Sequence, residues 1–285
     1  MVDYFLYFSI KLFKKILLFT KLIDMGYNTI IFEQKNKVAY LNLNRPDSLN
    51  SFNMKMGVEL YEALNKISKD KNIRIVVIKG SGKGFCGGGD VKEMYNAIDK
   101  SKFLREITKD AIHKCVKEIR TMEKPVIAIV NGAAFGAGLS LALACDIIIA
   151  DKKAQFSSAF IGVGLAPGCG TQFFTKILAY QKACEYILTS KLFSAEEAGK
   201  IGLINHAVEK ENIKQVLDSY ISRFLNLPPI AIGKAKMLIN KSYENNMIEH
   251  LDLESKTVAY TAGTEDFIEG ISAFVEKRKA KFKGK

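Results

Sequence analysis

The strongest constraint on the fold is a unit that occurs twice, in which a β-branched run leads into a glycine-rich turn and then a helix. The run 73-IRIVVIKG-80 precedes the turn 84-GFCGGGD-90, and 124-KPVIAIVNG-132 leads into 132-GAAFGAG-138. Uninterrupted β-branched runs are typical of strands that are covered on both faces, as in parallel sheets. The repeat therefore predicts an α/β fold in which two neighbouring strands end in glycine turns.

The remaining elements predict an α/β part followed by a helical part. The runs 28-NTIIFEQ-34 and 37-KVAYLNL-43 alternate or are rich in β-formers, and the polar turn between them indicates a hairpin. Periodicity then predicts helices over 51–70, 91–99 and 102–122, and a return to strand over 146–158. From about residue 195 onward strand patterns nearly vanish, and successive amphipathic helices are predicted.

These changes of pattern divide the chain into an N-terminal extension at 1–24, an α/β core at 25–210 and a helical oligomerisation region at 211–285. The extension is apolar with interspersed lysines, but it has no apolar run of the roughly 18 residues that a membrane span needs. Three interpretations stay open: a start codon assigned upstream of Met25, a surface amphipathic helix, or an organellar presequence. The absence of arginine and alanine from this stretch disfavours a presequence. We expect a cytoplasmic protein, or a mitochondrial matrix protein if the presequence is genuine.

The charge and the cysteine content of the chain limit the kinds of ligand, metal and cofactor that it is expected to bind. The net charge is +12, but the tail 277-KRKAKFKGK-285 carries six of those positive charges, and we expect it to be a solvated end. The rest of the chain is only mildly basic, which suits a polyphosphorylated small ligand better than a nucleic acid. Five cysteines without CxxC or Cys/His spacing indicate reduced thiols, and we expect neither a bound metal nor a cofactor.

The two glycine turns also suggest a chemical role. Small residues let a ligand approach the backbone closely, and a helix N-terminus leaves N–H groups free. Two such turns on neighbouring strands could direct two N–H donors at one carbonyl oxygen that becomes negative during reaction, which is an oxyanion hole. The alternative, that the small residues only allow tight packing of helix on strand, stays open at this point.

A resemblance to a known family rests on five stretches that occur in order. These are 44-NRPDSLNSFN-53, 84-GFCGGGDVKEM-94, 124–156, 192-LFSAEEAGKIGLINHAV-208 and 264–282. Together they resemble the crotonase (enoyl-CoA hydratase/isomerase) superfamily over roughly residues 26–282. The resemblance implies a crotonase/ClpP-like spiral of β-β-α repeats with a C-terminal helical trimerisation region. It also implies acyl-CoA thioester substrates and homotrimers, which often pair into hexamers.

Position by position, the resemblance implies that the backbone N–H groups of Gly89 and Ala137 form the oxyanion hole. Asp90 is expected to cap a helix rather than to catalyse. The positions that resemble substrate contacts in the family are Ser48, Leu49, Asn50, Gly87, Gly88, Asp90, Val91, Gly136, Phe160 and Gly168.

The carboxylates that move protons in the family are missing here. The two glutamates of typical hydratases fall at Ser140 and Phe160, and the single carboxylate of an isomerase branch falls at Gly168. The surrounding sequence resembles the isomerase branch more, which implies double-bond isomerisation of an unsaturated acyl-CoA with a non-standard base. An enoyl-CoA hydratase and a non-catalytic acyl-CoA-binding homologue are the alternatives. The remaining candidates for the base are Ser140 and His113, the latter at a position where related dehalogenases carry a catalytic histidine; Cys169 would be a nucleophile only if its pKa were lowered.

Overall fold

A computed structural model of the chain describes residues 26–285 and, before them, a two-residue strand at Thr20–Lys21 (β1). The three interpretations of the extension at 1–24 therefore fall almost wholly outside the described residues. The strands that follow are Ile30–Lys35 (β2), Val38–Leu43 (β3), Ile75–Gly80 (β4), Val126–Val130 (β5), Ala134–Phe135 (β6), Ile147–Asp151 (β7), Gln155–Ser157 (β8), Phe193–Ser194 (β9) and His206–Val208 (β10).

The main sheet has the order β1-β2-β3-β4-β5-β7-β10 in the described part of the chain. The predicted hairpin is confirmed, because β2 and β3 pair antiparallel with Ile30 opposite Leu43. From β3 onward the strands run parallel. A small second sheet, with the order β6-β8-β9, continues from the second glycine turn. The predicted α/β class is therefore confirmed, and the carboxyl ends of β4 and β5 lie side by side.

The helices of the α/β part are Met54–Lys69 (α1), Val91–Asn96 (α2), Lys100–Glu106 (α3), His113–Thr121 (α4), Ala137–Ala144 (α5), Thr171–Leu188 (α6) and Ala195–Lys200 (α7). The C-terminal helices are Ile213–Leu225 (α8), Pro229–Lys241 (α9), Met247–Ala262 (α10) and Glu265–Val275 (α11). Local sequence sets several starts, since Asn53 accepts a hydrogen bond from the Met56 N–H and Ser194 accepts one from the Glu197 N–H. The predicted helical region at 211–285 is helical over most of its length.

Both faces of the main sheet are covered, which explains its uninterrupted apolar strands. On one face the strands pack with α1, α4 and α5 in a large core that includes Val76, Ile78 and Ala128. On the other face Val77 and Ile129 pack under α8. Because neighbouring residues of one strand face opposite layers, every position of β4 and β5 except Lys79 is buried.

Three local predictions need correction. The helix predicted over 102–122 contains a π-helical turn at Ile107–Ile112, between α3 and α4. Helix α6 was not predicted, and its backbone breaks at Ala179 (φ 58°, ψ 169°). The basic tail is not a free solvated end, because the N–H groups of Lys283 and Gly284 donate to Asp266 at 2.6 and 2.8 Å.

Candidate active site

The two glycine turns lie directly against each other, as their positions on neighbouring strands predict. The Cys86 N–H donates to the Ala133 carbonyl and the Phe135 N–H donates to the Cys86 carbonyl, both at 3.0 Å. A Cβ atom added at Gly138 would lie 2.2 Å from the Cys86 oxygen. Glycine is therefore required at the start of α5 for packing, whether or not a ligand binds nearby.

Gly89 and Ala137 line one cavity at the point where the turns meet. Neither backbone N–H donates to an acceptor among residues 26–285, whereas the neighbouring Asp90 N–H donates to Phe52 and the Gly136 N–H to Ser157, each at 3.0 Å. Ala137 is the first residue of α5, where an N–H has no partner within the helix. Two free donors therefore border the same cavity.

Asp90 fixes the geometry of the first turn, as expected of a cap. Its carboxylate accepts the N–H groups of Lys92 and Glu93 at the start of α2 and pairs with the Arg45 guanidinium at 2.7 Å. Burial by itself raises the pKa of the Asp90 carboxyl. The hydrogen bonds from Arg45 and from the two backbone N–H groups outweigh burial, and the net pKa lies below its ordinary value. This carboxylate is occupied in holding the turn, and Asp90 is not part of the cavity lining, so the substrate contact that the resemblance implied for it is not found.

The loop that carries Ser48, Leu49 and Asn50 offers fewer side chains for contact with a substrate than the resemblance implied. Asn50 is fully buried: its Oδ1 accepts from the Arg45 N–H, and its Nδ2 donates to the carbonyls of Ser81 and Gly84. Asn50 is therefore a structural residue and not a substrate contact. The Ser48 hydroxyl is turned back onto the Arg45 carbonyl at 3.1 Å, while Leu49 is 44% exposed.

The cavity measures about 240 Å³ and is almost wholly apolar. Its predicted members are Gly87, Gly88, Gly89, Val91, Gly136, Ala137, Phe160 and Gly168. The walls add apolar side chains that include Phe52, Met94, Leu104, Ile107, Ile112 and Leu165. The polar side chains in the described lining are Thr108 and Cys169, and neither is a carboxylate or a histidine. The cavity thus suits an apolar acyl chain.

Ser140 does not face this cavity. Its side chain is 3% exposed, and its hydroxyl lies 2.9 Å from the Cys169 carbonyl and 3.1 Å from the Gly136 carbonyl, to which it donates. Both acceptors of this hydroxyl are backbone carbonyls, which are too weakly basic to take its proton and activate it. The position that carries a hydratase glutamate in the family is therefore closed off here.

His113 and Cys169 also lack the roles considered for them. The His113 Nε2–H donates to the Gly168 carbonyl at 2.7 Å, and the exposed ring is not part of the cavity lining. His113 is therefore placed to position the loop that carries Gly168. Burial raises the pKa of the Cys169 thiol, a change that opposes formation of a thiolate nucleophile.

Thr108 is the functional candidate that sequence reasoning missed. It lies in the π-helical turn, lines the cavity, and its hydroxyl makes no hydrogen bond to any described residue. The spacing of Leu104, Thr108 and Ile112, four residues apart, was the available signal, since it puts all three on one helical face. Turns of π-helix are frequent at functional sites.

No group of three or more His, Cys, Asp or Glu side chains within residues 26–285 is arranged to hold a metal ion. The expectation of a metal-free, cofactor-free site stays a prediction. No helix in the described part of the chain is long and apolar enough to cross a membrane.

Two free N–H groups at adjoining glycine turns beside an apolar cavity, within an α/β core, are the features that the resemblance leads us to expect of an acyl-thioester-binding protein. Comparison with known proteins agrees: the sequence pattern of the enoyl-CoA hydratase/isomerase family matches residues 33–285. The chain belongs to this family, and its fold is the crotonase fold.

The relatives include both hydratases and isomerases. A crotonyl-CoA hydratase of Syntrophomonas wolfei is 34% identical over 90% of this chain and 99% of its own length. A 1,2-epoxyphenylacetyl-CoA isomerase of Escherichia coli is also 34% identical, over 90% of this chain and 98% of its own. The crystal structure of an enoyl-CoA hydratase from Bacillus anthracis superposes with a TM-score of 0.86 at 29% identity, covering 90% of this chain and all of that one. Membership of the family therefore leaves the choice between hydration and isomerisation to the site.

Proposed function

We propose that this protein binds an unsaturated acyl-CoA and isomerises its double bond through an enolate held at Gly89 and Ala137. The observation that carries the proposal is the pair of free N–H groups beside an apolar cavity. Removal of an α- or γ-proton sends its electron pair to the thioester oxygen, where two hydrogen bonds stabilise the negative charge. Return of a proton at the other carbon completes the shift of the double bond.

Isomerisation is favoured over hydration because it moves one proton between two carbons and adds no water, so one proton carrier suffices. Hydration needs a group that activates water and another that delivers a proton. Ser140 and Phe160 replace those two groups, and the Ser140 hydroxyl is turned away from the cavity. We propose that a water bound to the Thr108 hydroxyl carries the proton. Two hydrogen bonds to the enolate oxygen stabilise the enolate and thereby lower the pKa of the substrate C–H group, so a weaker base suffices to remove its proton.

The second candidate is an acyl-CoA-binding protein without turnover. It is favoured by the lining of the cavity, in which the described residues place no carboxylate and no histidine. It predicts tight binding of CoA thioesters with no exchange of substrate protons. An enoyl-CoA hydratase remains the third candidate, supported by the names of several relatives.

We also propose that the protein is a homotrimer or a hexamer. The C-terminal helices expose large apolar side chains, among them Phe274 at 86% and Val275 at 79%. Large apolar side chains exposed next to each other are typical of interfaces between subunits. Light scattering after size-exclusion chromatography should give three or six times the mass of the chain.

Incubation with 2-enoyl-, 3-enoyl- and hydroxyacyl-CoA thioesters in D₂O tests the activity. Exchange of α- or γ-protons with migration of the double bond would support isomerisation. Gly89→Pro removes one donor because proline has no N–H, and it should lower turnover about 10²–10³-fold. Gly89→Ala keeps the N–H, but its Cβ would lie 2.2 Å from Met94 Cε and would move that side chain, which also lines the cavity. It serves as the matched control provided that its turnover stays near that of the wild type. Equal activity of both variants, each with wild-type melting temperature, would contradict the role of Gly89.

A further inference from the structure

The cavity lined by Gly89 and Ala137 is called the acyl cavity below. A second and larger groove lies on the opposite face of the main sheet. It measures about 870 Å³ and runs between the sheet and the start of α8. Its floor includes Val77 and Ile129, which belong to the layer under α8. The acyl cavity is walled by Ile107 and Ile112, which belong to the layer on the other face. The sheet therefore separates the two sites.

The groove lies at the carboxyl ends of the parallel strands. Lys79 is the penultimate residue of β4, Asn131 directly follows β5, and Asp151 ends β7. In open α/β sheets, ligands bind in the crevice outside these strand ends. From Asn42 on β3 to Asp151 on β7 there are three strand spacings, about 14 Å in all. That span suits a mononucleotide that carries two phosphates.

Asn42 supplies an observation that points to a ligand. The residue lines the groove and is only 9% exposed, yet its side-chain oxygen is buried without a hydrogen-bond partner among the described residues. Buried polar groups are almost always paired, and leaving one unpaired is costly. An N–H or O–H group of a ligand would satisfy it once a half-turn of the amide, which leaves the shape of the side chain unchanged, brings the oxygen to the groove.

The charges around the groove are mostly positive. Four lysine ammonium groups on its walls make no ion pair with any described residue: Lys79, Lys83, Lys153 and Lys210. A fifth lysine, Lys214, pairs with Asp218. Asp151 is buried, and its carboxylate accepts the Lys153 N–H at 2.9 Å, which leaves acceptor capacity for hydroxyl groups. Several cations above two oxygen acceptors suit a ligand with both phosphates and hydroxyls.

We propose that this groove binds a nucleotide, whose phosphates contact the lysines and whose N–H and O–H groups donate to Asn42 and Asp151. Neither the acyl cavity nor the loops at 48–50 and 87–91, which resemble CoA contacts, line the groove, so a nucleotide and an acyl-CoA bind to the same chain together. The site is independent of the activity proposed above, since no residue is shared between the two linings.

Isothermal titration of the full chain with ADP and with inorganic pyrophosphate tests the proposal. We expect one ADP per chain, bound equally well when CoA is saturating. Asn42→Leu keeps the branched shape of the side chain but removes the acceptor, and it should weaken ADP about tenfold while leaving pyrophosphate unchanged. The double variant Lys79→Gln/Lys210→Gln should weaken both ligands, because it removes the phosphate contacts.

The matched control is Lys71→Gln/Lys200→Gln, which makes the same change of net charge at exposed positions away from the groove. If this control weakens ADP as much as the groove variant, the attraction is general and the proposal is wrong. Displacement of ADP by CoA, or failure of ADP to bind, would also overturn it. Melting temperatures of all variants show whether a loss of binding reflects loss of the fold.

Discussion

The carboxylate that the cavity lacks can be introduced at Gly168. A Cβ added there would lie 3.5 Å from Thr108 Cγ2 and 3.6 Å from its Oγ1, an ordinary van der Waals distance. Gly168 is not among the residues with positive φ, so an L-residue suits its backbone. Gly168→Asp should therefore place a carboxylate beside the Thr108 hydroxyl, in the cavity bordered by Gly89 and Ala137.

A general base positioned at the reacting carbon contributes about 10²–10⁴-fold. We expect Gly168→Asp to raise the exchange of substrate α- or γ-protons by about 10²-fold, the lower end of that range, because the carboxylate is not held by further residues. Apolar surroundings disfavour the charged form and raise the pKa of a buried carboxyl above its ordinary value of about 3.9. Exchange should therefore rise with pH around a midpoint above that value.

Proton exchange of a 3-enoyl-CoA in D₂O, followed by NMR, measures this effect. Gly168→Asn is the matched control, because its side chain has the same shape but cannot accept a proton in this pH range. Binding of the same thioester, measured by calorimetry, separates a loss of affinity from a loss of chemistry. If Gly168→Asp binds normally and exchanges no faster than Gly168→Asn, a missing base is not what limits the site. Wild-type exchange as fast as that of Gly168→Asp would show that another base already works.

Three further perturbations test the surrounding structure. Gly138→Ala would put a Cβ 2.2 Å from the Cys86 oxygen, and we expect the free energy of unfolding to fall by about 1–3 kcal/mol in urea denaturation. Arg45→Gln should lower it by about 1–3 kcal/mol at pH 7. The pKa of Asp90 is lowered in the folded protein, so the loss of unfolding free energy should shrink as pH falls below about 4 and Asp90 becomes protonated. A loss that does not change with pH would contradict the role of the Arg45–Asp90 pair. Thr108→Val should slow proton exchange about tenfold with unchanged thioester binding if the hydroxyl holds the proton-carrying water; equal rates would make Thr108 only part of the wall.

The parts of the fold that could be predicted are those with a long, uniform pattern. Strands β4 and β5 are covered on both faces, so their whole length is apolar and easily recognised. Strands β6 and β9 are two residues long, too short for any periodicity. Helix α6 escaped prediction because its backbone breaks at Ala179, which divides its amphipathic pattern in two.

For the candidate site, the positions of backbone groups could be predicted from the sequence, but the directions of side chains could not. Glycine turns after buried strands are visible in sequence, so the place where the two turns meet could be predicted, and the family resemblance identified Gly89 and Ala137 within them. The direction of a side chain could not, because it depends on contacts with distant segments. Asn50 is buried by the carbonyls of Ser81 and Gly84, and Ser140 is turned away by the carbonyl of Cys169. Both residues occupy expected positions without the expected exposure.

An enzyme and a binding protein with this fold would share the backbone N–H groups and differ in the presence of a base, and this difference determines which measurement distinguishes them. The glycine turns are needed for packing, since Gly138 adjoins Cys86 too closely for any side chain. The free N–H groups follow from the same turns, so the proposed thioester-binding site does not depend on a catalytic side chain. Proton transfer, in contrast, needs a base, and the described lining offers only the Thr108 hydroxyl and the Cys169 thiol. Tight binding of an acyl-CoA is therefore expected of enzyme and binder alike, and proton exchange separates them.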